Sequence, residues 1–124
     1  METISSQCEL DVQRGPDWLL VRIKGCDPGD VGTSSLADRI WQLLEQHFTY
    51  RLVLEMDEVP VLDSGLISQL LDLYHWVDGR GGVMRVCGLS PHNRRVLRLS
   101  RLDEQLLPYR DRQEAVMGGV LRPR

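Results

Sequence analysis

The sequence predicts an α/β fold built on a mostly parallel β-sheet, and three observations lead to that class. Short apolar runs alternate with longer segments in which apolar residues recur every three or four positions, as strands alternate with helices. This alternation implies strand–helix–strand crossovers between parallel neighbours. The 124 residues contain no repeat, linker or low-complexity tract, so we expect one domain spanning 1–124, with its core at about residues 8–118.

Two strands are expected at the start of the chain. Residues 8–12 alternate weakly between apolar and polar side chains, and residues 18–23, WLLVRI, form a stronger apolar run. Residues 14–17, RGPD, have the composition of a tight turn, so the two strands would pair antiparallel as a hairpin. The glycine and proline content of residues 25–32 predicts a loop after them.

The first helix is predicted to open at Ser35, which has capping-box spacing to the carboxylate of Asp38. Residues 51–56, RLVLEM, are too few for a helix and are assigned to a buried strand. The apolar residues of the helix recur every three or four positions: Leu36, Ile40, Leu43, Leu44 and Phe48.

A second helix follows the segment VPVLDSGL and ends at the glycine-rich residues 78–82. Residues 83–87, VMRVC, are short and apolar and form the next strand. The buried face of the second helix has a period of 3.6 residues: Leu66, Ile67, Leu70, Leu71, Tyr74 and Val77.

The end of the chain continues the alternation. Residues 90–99 begin with a serine cap and a first-turn proline and form a third helix. A last short strand is expected at residues 106–107, and a final helix at 111–117 stops at two glycines. The first two strands are therefore antiparallel and the later ones are joined by parallel crossovers.

Composition narrows the functional classes. The net charge of −3 is mild and argues against a nucleic-acid binder, which usually carries a basic surplus. No apolar run approaches the ~20 residues needed to cross a bilayer. The first residues, METISSQCELDVQ, show no basic segment followed by an apolar stretch, as a secretion signal would. We expect a cytoplasmic protein that contacts neither nucleic acid nor membrane.

The cysteines and glycines give no cofactor motif. Cys8, Cys26 and Cys87 are scattered and lack the short paired spacing of a zinc site, so we interpret them as small buried residues in a reducing compartment. The loop GCDPGDVG matches neither common phosphate-binding pattern. No metal or cofactor is therefore expected.

Ser64 lies where an apolar run gives way to a helical pattern, and three roles are open to it. A nucleophile needs a base, but the strand–turn–helix pattern G-x-S-x-G is absent and His75 lies about 16 Å along the same helix. His47 and His92 lie on other elements. We therefore expect no catalytic residue, and a small serine hydrolase is a minor alternative. Either Ser64 or Asp63 could cap the helix, and another protein could modify Ser64.

The segment VLEMDEVPVLDSGLISQLL resembles STAS domains, the anti-sigma factor antagonist family, in which a strand and loop run into a D-S-S-G-L-like motif. WLLVRIKG resembles the family's second strand, and GGVMRVCGLSPHNRRVLRLSRLDEQL resembles its fourth strand and third helix. YRDRQEAV resembles the start of its last helix, so the resemblance covers most of residues 18–117. It implies a mixed sheet of four to five strands with about four helices.

The resemblance also implies a function without catalysis. The family's serine before the glycine, here Ser64, is phosphorylated by a partner kinase that is often the anti-sigma factor itself, and a phosphatase would reverse this. The motif is altered: Asp63 stands beside Ser64, which is the only hydroxyl there. A homodimer is possible. The alternative is a structural STAS subunit of a larger complex, such as a scaffold or a lipid-transport system, in which Ser64 only caps the helix.

The expected docking surface lies around the start of the second helix and includes the loop at residues 26–33. Val59, Val61 and Leu62 could contact a partner or pack in the core. Its expected partner-binding residues are Asp57, Glu58, Val61, Leu62, Asp63 and Gly65.

Two other groups of residues are interpreted as structural. Arg94, Arg98 and Arg101 fall on one side of the third helix beside Arg95, and we interpret them as a solvated face. Trp18, Trp41 and Trp76 are interpreted as packing residues.

Overall fold

The computed structural model describes residues 9–24 and 36–118, and the predictions for Cys8, Cys26, Ser35 and the loop at 25–33 lie outside this part. Within it, strands and helices follow the predicted order, and no helix is long and apolar enough to cross a membrane. The elements are β1 Glu9–Arg14, β2 Leu19–Lys24, α1 Leu36–Gln46, β3 Arg51–Glu55, α2 Ser64–Gly79, β4 Val83–Cys87, α3 Pro91–Leu99, β5 Pro108–Tyr109 and α4 Arg112–Met117.

The strands form one sheet in the order β1-β2-β3-β4-β5. β1 is antiparallel to β2, whereas β2, β3, β4 and β5 are parallel neighbours. These pairings confirm the predicted mixed, mostly parallel sheet. A crossover that contains a helix joins each parallel pair, as parallel neighbours require. The carboxyl ends of four strands therefore meet at one edge, where Arg22, Glu55, Cys87 and Tyr109 are aligned in register.

Alternate strand residues pack into two unequal layers. On one face, Leu19, Val21 and Ile23 join the main core beneath α1, α2 and α3. The opposite face is covered by the short α4, whose Ala115 packs with a second cluster that contains Cys87. Burial raises the pKa of the Cys87 thiol to about 12, so this cysteine stays protonated and is the packing residue that was predicted.

A buried carboxylate joins the sheet to α4. Glu55 is 4% exposed; its Oε1 accepts a hydrogen bond from Arg22 and its Oε2 one from Arg112, both at 2.8 Å. Arg112 also reaches across to Gln13 of β1 at 3.0 Å. Burial alone would raise the pKa of Glu55, but the hydrogen bonds and charges of the two arginines outweigh it and hold this pKa below its usual range.

The prediction for the last strand is wrong by two residues. β5 is Pro108–Tyr109, paired with Val86 and Cys87, instead of residues 106–107. Leu106 belongs to the turn after α3, since its amide donates to the carbonyl of Leu102 at 2.8 Å, and its side chain is fully buried. Of the predicted pair, Leu106 thus fills the core from a turn, whereas the side chain of Leu107 is 47% exposed.

The assignment of Phe48 to the first helix is also wrong. α1 ends at Gln46, and Phe48 has a left-handed backbone with φ 50° and an 87% exposed side chain. The amides of Phe48 and Thr49 donate back to the carbonyls of Glu45 and Leu44, which closes the helix at Gln46, two residues before Phe48.

Replacing Glu55 with glutamine removes the charge that pairs with both arginines, and we expect the free energy of unfolding at pH 7 to fall by about 1–3 kcal/mol. The folded-state pKa of Glu55 is lowered, so its contribution is present above the unfolded-state pKa and is lost as the pH falls through the folded value. Urea denaturation at pH 7 and at about pH 3 should show the difference between the two proteins shrinking in acid.

Glu58→Gln is the matched control, because Glu58 is about half exposed and lies 3.7 Å from the same Arg22. Exposed pairs of this kind contribute about 0–1 kcal/mol. Equal losses in the two variants would contradict the role assigned to the buried carboxylate.

Candidate functional site

Ser64 is the first residue of α2, and its side chain is exposed beyond the carboxyl end of β3. Asp63 precedes it in extended backbone, and the Oδ1 atom of Asp63 accepts a hydrogen bond from the Leu66 amide at 2.9 Å. The N-cap is therefore Asp63, which decides between the two capping residues that the sequence left open. Ser64 lies in the first turn, next to the cap.

The loop before Ser64 is held by a buried side chain from another element. Asn93, in the first turn of α3, is completely buried. Its Nδ2 donates to the Val59 carbonyl at 3.1 Å, and its Oδ1 accepts from the Leu62 amide at 3.0 Å. Its own amide donates to the Oγ of Ser90, the cap of α3. One amide group thus pairs two loop backbone groups that no strand or helix could satisfy.

Asn93 was not among the residues predicted from the sequence. The available signal was a polar residue four positions before the buried Leu97, where the helical period calls for an apolar side chain. A polar residue in that position indicates a buried hydrogen-bonding partner, but the sequence does not say which partner.

The apolar residues of the loop divide between core and surface. Val59 and Leu62 are 4% and 3% exposed and pack in the core, so the side chain of Leu62 is not available to a partner. Val61 is 40% exposed and points away from that core cluster. Of the two interpretations open for these residues, packing describes Val59 and Leu62 and surface exposure describes Val61.

The loop that leads to Ser64 carries exposed carboxylates. Asp57 and Glu58 are exposed in the loop, and Glu58 lies 3.7 Å from Arg22. The loop after β4 approaches closely at Gly88, where a Cβ atom would lie 2.6 Å from Oδ1 of Asp57. Gly88 also has φ of +74°, so a side chain there would both strain the backbone and displace Asp57.

No catalytic partner for Ser64 emerges among the described residues. His75 is exposed on α2, with its ring 5.6 Å from that of Tyr74, and its position about 16 Å along the helix is beyond contact. A serine hydroxyl without an adjacent base is a weak nucleophile. The described residues also contain no group of three His, Cys, Asp or Glu side chains able to hold a metal ion.

Trp18 and Trp41 pack as predicted, whereas Trp76 is exposed, and Trp41 and Trp76 line a recess. Trp18 is 5% exposed beneath the guanidinium of Arg51, which lies 4.4 Å from its ring. Trp41 and Trp76 meet edge to face at 6.0 Å, and Trp76 is 38% exposed. With Arg80 nearby they line an open recess of about 410 Å³ between α1 and α2.

Comparison with known proteins places this geometry in a family. A model of the STAS domain matches residues 10–115. The chain belongs to the STAS domain family. Its fold is shared with an anti-sigma factor antagonist from Mycobacterium paratuberculosis, at a TM-score of 0.76 and 21% identity over 91% of this chain and 94% of that one.

Two further STAS-like structures share the fold at lower identity. The Bacillus cell fate determinant SpoIIAA in its phosphorylated form matches with a TM-score of 0.64 and 14% identity, over 90% of this chain and 99% of that one. A chain of the stressosome, described as a signal integration and transduction hub, matches at 0.71 and 16%, over 91% and 100%. At these identities the likeness is one of fold.

The assignment of Asp63 as the cap and of Ser64 as an exposed hydroxyl can be tested by measuring the free energy of unfolding. We expect Asp63→Ala to lower the free energy of unfolding by about 1 kcal/mol, because the Leu66 amide loses its acceptor. Ser64→Ala should change it by less than about 0.5 kcal/mol, since an exposed first-turn residue has little to lose. Urea denaturation of the two variants measures the contrast, and the reverse order would show that Ser64 is the effective cap.

The two hydrogen bonds by which Asn93 fixes the loop before Ser64 can be tested separately. Asn93→Ala leaves the Leu62 amide and the Val59 carbonyl buried without partners, and we expect a loss of about 2–3 kcal/mol. Hydrogen exchange should also show the Leu62 amide losing its protection.

Gln69→Ala is the matched control, because Gln69 accepts a hydrogen bond from the Ala37 amide, away from this loop. It should leave the Leu62 amide protected. Protection of that amide in Asn93→Ala as well would contradict the role of Asn93.

Proposed function

We propose that this STAS domain is a non-enzymatic, cytoplasmic anti-sigma factor antagonist that binds an anti-sigma factor with serine kinase activity. Phosphorylation of Ser64 by that kinase switches the contact off, and a phosphatase restores it. The observation that carries this proposal is the exposed Ser64 hydroxyl in the first turn of α2, beside a cap that Asp63 already supplies.

The surface around Ser64 is suited to a partner that binds the unmodified, neutral hydroxyl. Val61 offers an exposed apolar side chain, and Gly65 is exposed with no side chain to obstruct a close approach. Asp57, Glu58 and Asp63 surround this contact with negative charge. We infer that the partner's complementary surface is basic, because charge complementarity sets specificity at interfaces of this kind.

A phosphate on Ser64 would change this surface without unfolding it. It adds a charge of about −1.5 to −2, and the amino end of a 16-residue helix tolerates an anion. Together with the neighbouring carboxylates it would make this surface strongly anionic. A partner fitted to the hydroxyl would then face desolvation of the phosphate and loss of fit, and would be released.

A structural STAS subunit is the second candidate, and the shared fold with a stressosome chain favours it. In that case Ser64 remains unmodified and the domain contributes only a packing surface. The two candidates differ in one covalent group, so the mass of the native protein distinguishes them.

We expect protein purified from its own cells to include a form heavier by one phosphate, which phosphatase removes and which Ser64→Ala lacks. Intact-mass analysis of the wild-type and Ser64→Ala proteins makes this measurement. A wild-type protein that carries no phosphate under any growth condition, including those in which the partner is bound, would favour the structural subunit.

The switch itself predicts a difference in binding. A kinase fractionated by its activity on this protein should bind Ser64→Ala at least about tenfold more tightly than Ser64→Glu. Gln113→Glu is the control for added charge, because Gln113 is exposed on α4 at the opposite face of the sheet. Equal binding of the two Ser64 variants would contradict the proposed mechanism.

A further inference from the structure

The outward side of α3 carries a cluster of exposed residues that the proposed switch does not use. We call it the α3 outer face, and it consists of Arg94, Arg95, Arg98, Leu99 and Arg101. Leu99 is 76% exposed among the four arginines, although leucine is usually buried. The sequence alone led us to interpret these arginines as a solvated face, but that interpretation does not account for the exposed Leu99, which lies one helical turn after Arg95.

The arginines of this face lack carboxylate partners within the described residues. None of the four takes part in an ion pair there, whereas Arg22, Arg80 and Arg112 each do. Asp103 and Glu104 line a recess of about 400 Å³ with Arg98 and Arg101, so two acids lie near one end of the face. The face still carries more cations than anions, in a chain whose net charge is −3.

Arg101, just after α3, has a backbone conformation that glycine adopts more easily than arginine. Arg101 has a left-handed backbone, with φ of 61°. Its amide donates to the Arg98 carbonyl, and the Leu102 amide donates to the Leu97 carbonyl, the pattern in which glycine is preferred at this position. A cation near the helix carboxyl end gains some energy from the helix dipole.

The α3 outer face is held in a fixed relation to the candidate site. Asn93 lies one residue before Arg94, and its side chain bonds to the backbone of Val59 and Leu62 in the loop that leads to Ser64. A partner that docks at Ser64 therefore meets α3 in a defined position, and a second contact there would extend the same interface.

We propose that the α3 outer face is a docking surface for an acidic, amphipathic segment of a protein partner. Carboxylates of that segment pair with the arginines, and one apolar side chain covers Leu99. This inference rests on the proposed function only in that the domain works by binding a protein. Nucleic acid fits less well, because the face has no aromatic side chain for base stacking and the chain is acidic.

The probe is a labelled synthetic helical peptide with glutamates flanking a single leucine, and the measurement is fluorescence anisotropy with the full chain. We expect binding that weakens between about 50 and about 300 mM salt, because the pairs are exposed. A peptide with glutamine in place of glutamate should bind at least about tenfold more weakly. Arg95→Glu combined with Arg98→Glu should cause a similar loss, and Leu99→Ala a loss of about three- to tenfold.

Two controls separate this face from general effects. Arg14→Glu changes an exposed arginine at the end of β1, and Phe48→Ala removes an exposed apolar side chain after α1; both should bind the peptide like wild type. Ser64→Glu should also leave peptide binding within about twofold, since the charge is on another helix. Failure of the Ser64 switch would therefore not alter this result, and failure of the peptide to bind would leave the Ser64 proposal standing.

Three results would overturn the inference. If Leu99→Ala bound the peptide as tightly as wild type, the affinity would come from nonspecific charge attraction alone, without the apolar contact. Tighter binding of a DNA duplex than of the peptide would assign the face to nucleic acid. A dimer of this chain that Arg95→Glu dissociates would make the face a contact between copies.

Discussion

The geometry of the candidate site depends on the two hydrogen bonds made by the Asn93 side chain. The loop between β3 and α2 buries Val59 and Leu62, so part of its backbone lies away from water without any strand or helix to pair it. Asn93 provides one acceptor and one donor at the required spacing. The position of Ser64 is thus determined from α3, an element that begins 27 residues later in the chain, and not only by the strand before it.

The opposite layer is held by a different kind of contact. Glu55 connects β3 to β2 through Arg22 and to α4 through Arg112, which continues to Gln13 of β1. Because α4 has only six residues, its small apolar contact at Ala115 is supplemented by these charged hydrogen bonds. Two different contacts therefore act near the carboxyl end of β3: the neutral hydrogen bonds of Asn93 hold the loop that follows it, and the ion pairs of Glu55 join it to α4.

Periodicity was enough to predict the order and type of the elements, because helices and strands here bury one side each and show it in the spacing of apolar residues. It failed at Phe48 and at residues 106–107, where hydrogen bonds that close a helix or a turn, rather than apolar spacing, set the boundary. The sequence could identify Ser64 as a candidate but not choose between it and Asp63 as the cap, since both residue types cap well. The roles of Asn93 and Glu55 could not be predicted from the sequence, because only the folded chain brings their hydrogen-bond partners together.

The neighbouring placement of Asp63 and Ser64 separates two tasks that one residue could otherwise have combined. If the serine were the cap, a phosphate attached to it would have to replace the hydroxyl as acceptor for the first-turn amide, and the cap geometry would change with each modification. With the aspartate in that role, a charge can be added or removed while the backbone stays in place. Response time would then be governed by the modifying enzymes and by partner dissociation, and the domain could cycle many times without exposing its interior.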